Sequence, residues 1–103
     1  MSNIIDIIGK DKVIIILREN KQEDAYKSAK AFIEAGLRII EITMNTPGAP
    51  EIISQLDKEH SDIILGAGTV LSIQDAETAI ESGVKFLVSP HTDREIIKFC
   101  QDN

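Results

Sequence analysis

Leu37-Arg38-Ile39-Ile40-Glu41-Ile42-Thr43 is the stretch on which the fold turns. It is short, dense in isoleucine and interrupted by one carboxylate. Buried parallel strands tend to be such β-branched runs. Gly36 precedes it, and Asn45-Thr46-Pro47-Gly48 follows it and reads as a turn. Side chains alternate along a strand, so Ile39, Glu41 and Thr43 share one face and Ile40 and Ile42 the other. With helices covering the isoleucine face, Glu41 and Thr43 point inward, toward a barrel axis or an open sheet face.

Three more apolar runs bring the spacing to about one every 24 residues: Val13-Ile14-Ile15-Ile16-Leu17, Ile63-Ile64-Leu65 and Phe86-Leu87-Val88. The segments between them have helical periodicity. Ala25, Ala29, Phe32 and Ile33 share one face of a helix predicted from about Glu23 to Ala35, which Gly36 stops in a left-handed conformation. Pro50 suits the first turn of a second helix running to Glu59, with Ile52, Ile53 and Leu56 as its apolar stripe. Ser72-Ile73-Gln74-Asp75 is a capping box with a shortened acid, opening a third helix that ends at Gly83. Thr92-Asp93-Arg94-Glu95 is a standard capping box for a fourth helix, which carries Ile96, Ile97 and Cys100.

The order βαβαβαβα predicts parallel strands joined by right-handed helical crossovers. Two architectures fit: part of a (βα)₈ barrel, or a doubly wound sheet of flavodoxin type. Ala35-Gly36-Leu37-Arg38-Ile39-Ile40 resembles Ser82-Gly83-Val84-Lys85-Phe86-Leu87 at an offset of 47 residues, two βα units apart. Stacked units repeat in this way, and so do helix-to-strand turns that need a glycine. A whole barrel takes about 200 residues or more. On the barrel reading residues 1–103 form one domain, a half-barrel of four βα units.

Composition excludes several classes. Of 103 residues, 43% are hydrophobic and 27% charged, as in globular proteins generally. The net charge of −6 argues against a nucleic-acid partner, whose phosphates call for a basic surface. No apolar run has the length of a membrane span, and the N-terminus has neither the cationic start nor the cleavage site of a signal peptide. Cys100 is the single cysteine, which fits a cytoplasmic protein without disulfides, and it reads as a small apolar residue on a helix face. His60 and His91 form no metal motif.

Glu41 is the most informative candidate. A buried carboxylate is paired, protonated or functional. It reads either as a general acid/base with a raised pKa or as half of an ion pair with Arg18 or Arg38. Arg18 follows the first strand at the end where parallel α/β folds bind ligands, and its guanidinium suits a carboxylate or phosphate as well as plain surface exposure. Gly66-Ala67-Gly68-Thr69 follows the third strand; its glycines would let backbone approach a ligand, or simply make a tight turn. It lacks the Gly-Lys-Ser/Thr of a nucleotide-binding loop and the third glycine of a dinucleotide fingerprint. His91 follows Ser89-Pro90 at the same end and suits a loop role at least as well as a catalytic one. Lys85 lies at the opposite, N-terminal end of the fourth strand, the wrong end for a Schiff base.

Three of these stretches together resemble one family. Gly36 to Thr46 is similar to the second-strand motif of the 2-keto-3-deoxy-6-phosphogluconate (KDPG) aldolases, whose relatives also cleave 4-hydroxy-2-oxoglutarate (KHG). Gly66-Ala67-Gly68-Thr69-Val70-Leu71 resembles their third-strand motif, and Phe86-Leu87-Val88-Ser89-Pro90 their fourth. The resemblance runs along essentially the whole chain. It implies a TIM (βα)₈ barrel, usually trimeric, acting as a class I aldolase on small keto acids, with no metal and no cofactor. It implies that Glu41 shuttles protons, that Arg18 and Thr69 hold the substrate carboxylate, and that Pro90 lines the pocket.

Two departures bear on function. Asn45 stands where many members have an arginine, which removes a polar contact and leaves the aldehyde preference open. The Schiff-base lysine that the resemblance places on a sixth strand has no counterpart here, so the 103 residues are expected to lack normal aldolase activity alone. The alternative is a self-associating half-barrel that binds small acids, or serves as a scaffold, without catalysis.

Overall fold

The computed structural model describes residues 13–90 and 94–103. His91, Thr92 and Asp93, with the capping box expected there, lie outside the described residues, as does the N-terminus. Four strands, β1 (Ile15–Leu17), β2 (Ile39–Thr43), β3 (Ile64–Gly68) and β4 (Phe86–Leu87), alternate with α1 (Gln22–Glu34), α2 (Ala49–Glu59), α3 (Ile73–Ser82) and α4 (Arg94–Asp102). The sheet runs in sequence order, β1-β2-β3-β4, and every pairing is parallel. Each strand therefore lies beside the next in the chain. A doubly wound sheet reverses its strand order at a switch point, and this sheet does not.

The faces divide as alternation requires. Ile40, Ile42, Leu65 and Ala67 join Leu17, Ala25, Ala29, Ile52, Ile53 and Leu56 in one core between sheet and helices. Ile52, Ile53 and Leu56 are almost wholly buried, each contributing about 1.5–3 kcal/mol. On the opposite, inner face the register aligns Ile16, Glu41, Gly66 and Phe86 in one row across all four strands.

Two helices end alike. Leu37 N–H bonds the Phe32 carbonyl and Gly36 N–H the Ile33 carbonyl, with Gly36 at φ 96°. Val84 bonds Ala79 and Gly83 bonds Ile80, with Gly83 at φ 114°. Both are Schellman stops, the left-handed residue being glycine because it has no Cβ. The 47-residue repeat is thus a repeated helix-to-strand turn. At the start of α3, the Ser72 hydroxyl accepts from Asp75 N–H at 3.0 Å, and the Asp75 carboxylate accepts from Leu71 N–H at 3.3 Å. The shortened acid therefore reaches one residue before the cap. No described helix is long and apolar enough to cross a membrane.

Candidate active site

The strands' C-terminal ends carry Arg18, Asn45, Thr69 and Pro90 on four successive loops. Glu41 lies below them, in the middle of β2, and is 5% exposed. Its side chain faces inward with Thr43, as alternation predicted.

Two strand glycines shape the space around it. A Cβ on Gly68 would run into the Glu41 carboxylate, and a Cβ on Gly66 into the Phe86 ring. Glu41 therefore leans toward the C-terminal end of β3, while Phe86 covers Gly66, its neighbour in the register. The sequence left open whether these glycines admit a ligand or make a tight turn; the space where a Cβ would stand is taken by side chains of the adjoining strands. Neither has positive φ. The only described non-glycine residue with positive φ is Thr69, at 54°.

No described residue forms an ion pair or hydrogen bond with the Glu41 carboxylate. The two expected partners are engaged elsewhere. Arg18 donates to the Thr69 hydroxyl at 3.2 Å, and Arg38 donates to the Asp62 carbonyl at 3.1 Å, below the other end of the sheet. Burial, with Ile16 and Gly66 flanking it in the register, pushes the carboxyl above its ordinary value. A carboxyl raised in this way holds its proton more firmly than an exposed one, the property a general acid uses.

Arg18 and Thr69 are 51 residues apart and meet across the end of β2. Their bond joins a fixed cation and a hydroxyl at one edge of the inner face, a pairing suited to a small carboxylate. Thr69 holds its hydroxyl there in a conformation uncommon for a β-branched residue. Asn45 and Pro90 are exposed on their loops, and Asn45 makes no side-chain hydrogen bond with a described residue. The structure thus joins Arg18 to Thr69, sets Glu41 on the same face below them, and leaves Asn45 and Pro90 at the rim.

A hydroxyl pair escaped the sequence reading. Thr43 and Thr46 are both buried, with their hydroxyls 2.9 Å apart, and the Thr46 hydroxyl also accepts from Glu19 N–H at 3.4 Å. Thr46 thereby ties the loop carrying Arg18 to the end of β2. Thr-x-x-Thr at a strand-to-turn junction is a weak signal for this, and the third partner lies 27 residues away. Cys100 is partly buried against the core, and burial raises its thiol pKa, in keeping with an apolar, unreactive role. Lys85 begins the turn into β4, at the N-terminal end.

Residues 4–103 match the family described as KDPG and KHG aldolase. The chain is 35% identical to the 2-dehydro-3-deoxy-phosphogluconate aldolase of Treponema pallidum over 100 residues, which cover 97% of this chain and 48% of that protein. Among solved structures, the 4-hydroxy-2-oxoglutarate/2-dehydro-3-deoxyphosphogluconate aldolase from TTHB1 superimposes with a TM-score of 0.78 at 34% identity, over 94% of this chain and 48% of that one. The KDPG aldolase of Legionella pneumophila, captured with pyruvate as a covalent carbinolamine, gives a TM-score of 0.72 at 30% identity, over 87% and 43%. The chain spans about half the length of these relatives, and its parallel sheet is four βα units of a TIM-barrel-type fold. It belongs to the KDPG and KHG aldolase family.

Proposed function

We propose that this chain supplies the proton-transfer and carboxylate-binding part of a class I aldolase site. The substrate class is a 2-keto-4-hydroxy acid, 2-keto-3-deoxy-6-phosphogluconate or 4-hydroxy-2-oxoglutarate, cleaved to pyruvate and an aldehyde. The observation that carries this reading is Glu41: buried, inward-facing, without a described charge partner, and raised in pKa by burial. In the cleavage direction its carboxylate takes the C4 hydroxyl proton as the C3–C4 bond breaks. The bonding electrons pass toward C2, and the same group returns a proton to C3 to complete pyruvate. Arg18 and Thr69 hold the substrate carboxylate, and Asn45 and Pro90 line the approach of the aldehyde portion.

Electron flow toward C2 needs an amine that converts the ketone to an imine. Among the described lysines, Lys27, Lys30, Lys58 and Lys98 lie on helices, Lys21 caps α1, and Lys85 precedes β4. None lies on the inner face of a strand. The reading therefore assigns the imine, as the family resemblance does, to a lysine on a later strand of the barrel, and regards the chain alone as inactive. It carries with it a cytoplasmic setting and a homo-oligomer.

The test is intact-mass analysis after pyruvate and borohydride, on this chain alone and mixed with the C-terminal half of the Treponema pallidum relative. The expected adduct forms only in the mixture and only on the added half. An adduct on this chain would overturn the lysine assignment. In the mixture, exchange of the pyruvate methyl protons with D₂O should fall at least about 100-fold with Glu41→Gln. Undiminished exchange would remove Glu41 from the proton-transfer role.

A further inference from the structure

We infer that Thr46 is a positioning residue, which sets Arg18 against Thr69 from the turn between β2 and α2. The inference rests on the reading that Arg18 and Thr69 hold a substrate carboxylate, and adds what keeps the pair in place. Arg18 is exposed and lies one residue past the end of β1 at Leu17. A long arginine side chain has many rotamers, so its guanidinium is held at one hydroxyl only if the backbone beneath it is fixed. The Thr46 hydroxyl fixes that backbone. It accepts at 3.4 Å from Glu19 N–H, the amide of the peptide that joins Arg18 to Glu19.

The same turn grips Thr69 from the other side. Met44 N–H donates at 2.8 Å to the Gly68 carbonyl, and that carbonyl belongs to the peptide joining Gly68 to Thr69. Residues 43–46 thus bond the peptide after Arg18 on one flank and the peptide before Thr69 on the other. The Arg18–Thr69 bond of 3.2 Å spans the gap between the two. One short piece of backbone therefore sets the separation of cation and hydroxyl. The Met44 bond is made by main chain alone, so Thr46 is where a side chain controls that separation.

The turn is itself firmly held. Thr46 N–H donates to the Thr43 carbonyl at 2.9 Å, and the Thr46 carbonyl accepts at 3.1 Å from the N–H of Ala49, the first residue of α2. Thr43 and Thr46 are 1% and 2% exposed, with their hydroxyls 2.9 Å apart. Hydroxyls so buried depend on protein partners, because water does not replace a lost bond. A second contact holds the far end of the Arg18 loop: the Gln22 side chain fills the space where a Cβ on Gly48 would stand. The loop carrying Arg18 is thus fastened to the β2–α2 turn at two points. Valine would fit the Thr46 site but accept no N–H; serine would fit and accept it.

NMR of the 103-residue chain tests this. The Arg18 guanidinium protons and the Thr69 methyl group should show a nuclear Overhauser contact, which Thr46→Val abolishes and Thr46→Ser retains. Pyruvate is then titrated in and followed at the Thr69 amide. Thr46→Val should weaken its binding about tenfold, Thr46→Ser less than about twofold, and Thr46→Val should add little to the loss caused by Arg18→Gln. A contact that survives Thr46→Val, or a Thr46→Val loss that adds in full to that of Arg18→Gln, would overturn the inference. Pyruvate that ignores the parent chain, or binds Arg18→Gln equally well, would sink the carboxylate reading instead, and the Overhauser contact would still decide the role of Thr46. Should Thr46→Val unfold, the exposed Arg18→Gln variant decides. Coupling is reciprocal, so loss of the Arg18–Thr69 bond should speed amide exchange at Glu19, and unchanged exchange there would overturn the inference.

Discussion

The Glu41 carboxylate occupies the space in which a Cβ on residue 68 would stand, so Gly68 and Glu41 form one steric unit across β2 and β3. Gly66 stands in the same relation to the Phe86 ring across β3 and β4. The two differ in what can yield: a carboxylate at the end of a flexible chain swings aside, whereas a packed ring does not. Gly66→Ala is therefore expected to cost about 1–3 kcal/mol in urea unfolding. Gly68→Ala should cost less and act chiefly by displacing Glu41. A double-mutant cycle with Phe86→Leu should show coupling for Gly66→Ala; additive costs would refute the contact.

Glu41 predicts a distinctive pH dependence. Burial raises the folded carboxyl above its ordinary value of 4.5, so the folded state binds the proton more tightly than the unfolded state. The group's contribution is fully present below 4.5 and is lost as pH rises through the raised folded value. Glu41→Gln carries no charge and escapes that loss. At pH 7 the variant should unfold at higher urea than the parent chain, with the advantage disappearing below pH 4.5. Equal midpoints from pH 4 to 8 would mean that the carboxylate is not desolvated.

Thr46→Val keeps the side chain's shape and removes its hydroxyl. It strips one bond from the buried Thr43 hydroxyl and one from Glu19 N–H. The expected cost is about 1–3 kcal/mol, because a buried hydroxyl is left with one partner fewer. Amide exchange at Glu19 should also accelerate, which a loss of packing elsewhere in the core would not single out.

Thr69→Gly separates strain from function. Glycine accepts φ 54° freely, so relief of the left-handed threonine offsets glycine's added flexibility, for a net gain of about 1 kcal/mol. The same change deletes the acceptor of Arg18. A higher urea midpoint with weaker pyruvate binding, in the mixture with the C-terminal half of a relative, is the expected pair of results. Unchanged binding would remove Thr69 from the carboxylate site.

Much of this was legible in the chain. Alternation in Ile39-Ile40-Glu41-Ile42-Thr43 assigned each side chain to its face, and the structure agrees residue by residue. Gly36 and Gly83 marked both Schellman stops, and Ser72 marked a helix start. The role of Gly66 and Gly68 was not legible. Their value lies in what neighbouring strands place beside them, and no local pattern states that. The same holds for Arg18: the sequence left it to the carboxylate of Glu41, an outside ligand or plain surface exposure, and it is exposed and meets the Thr69 hydroxyl.

By itself, then, the sequence determined the order of elements, their apolar faces, their stops and the family motifs, because periodicity and capping are written within a few residues of one another. The tertiary structure alone decided who stands beside Glu41, which arginine bonds Thr69, and that Thr46 ties two loops. Those facts depend on strand register, a relation between segments some 25 residues apart, in which a slip of one residue would turn every side chain to the opposite face.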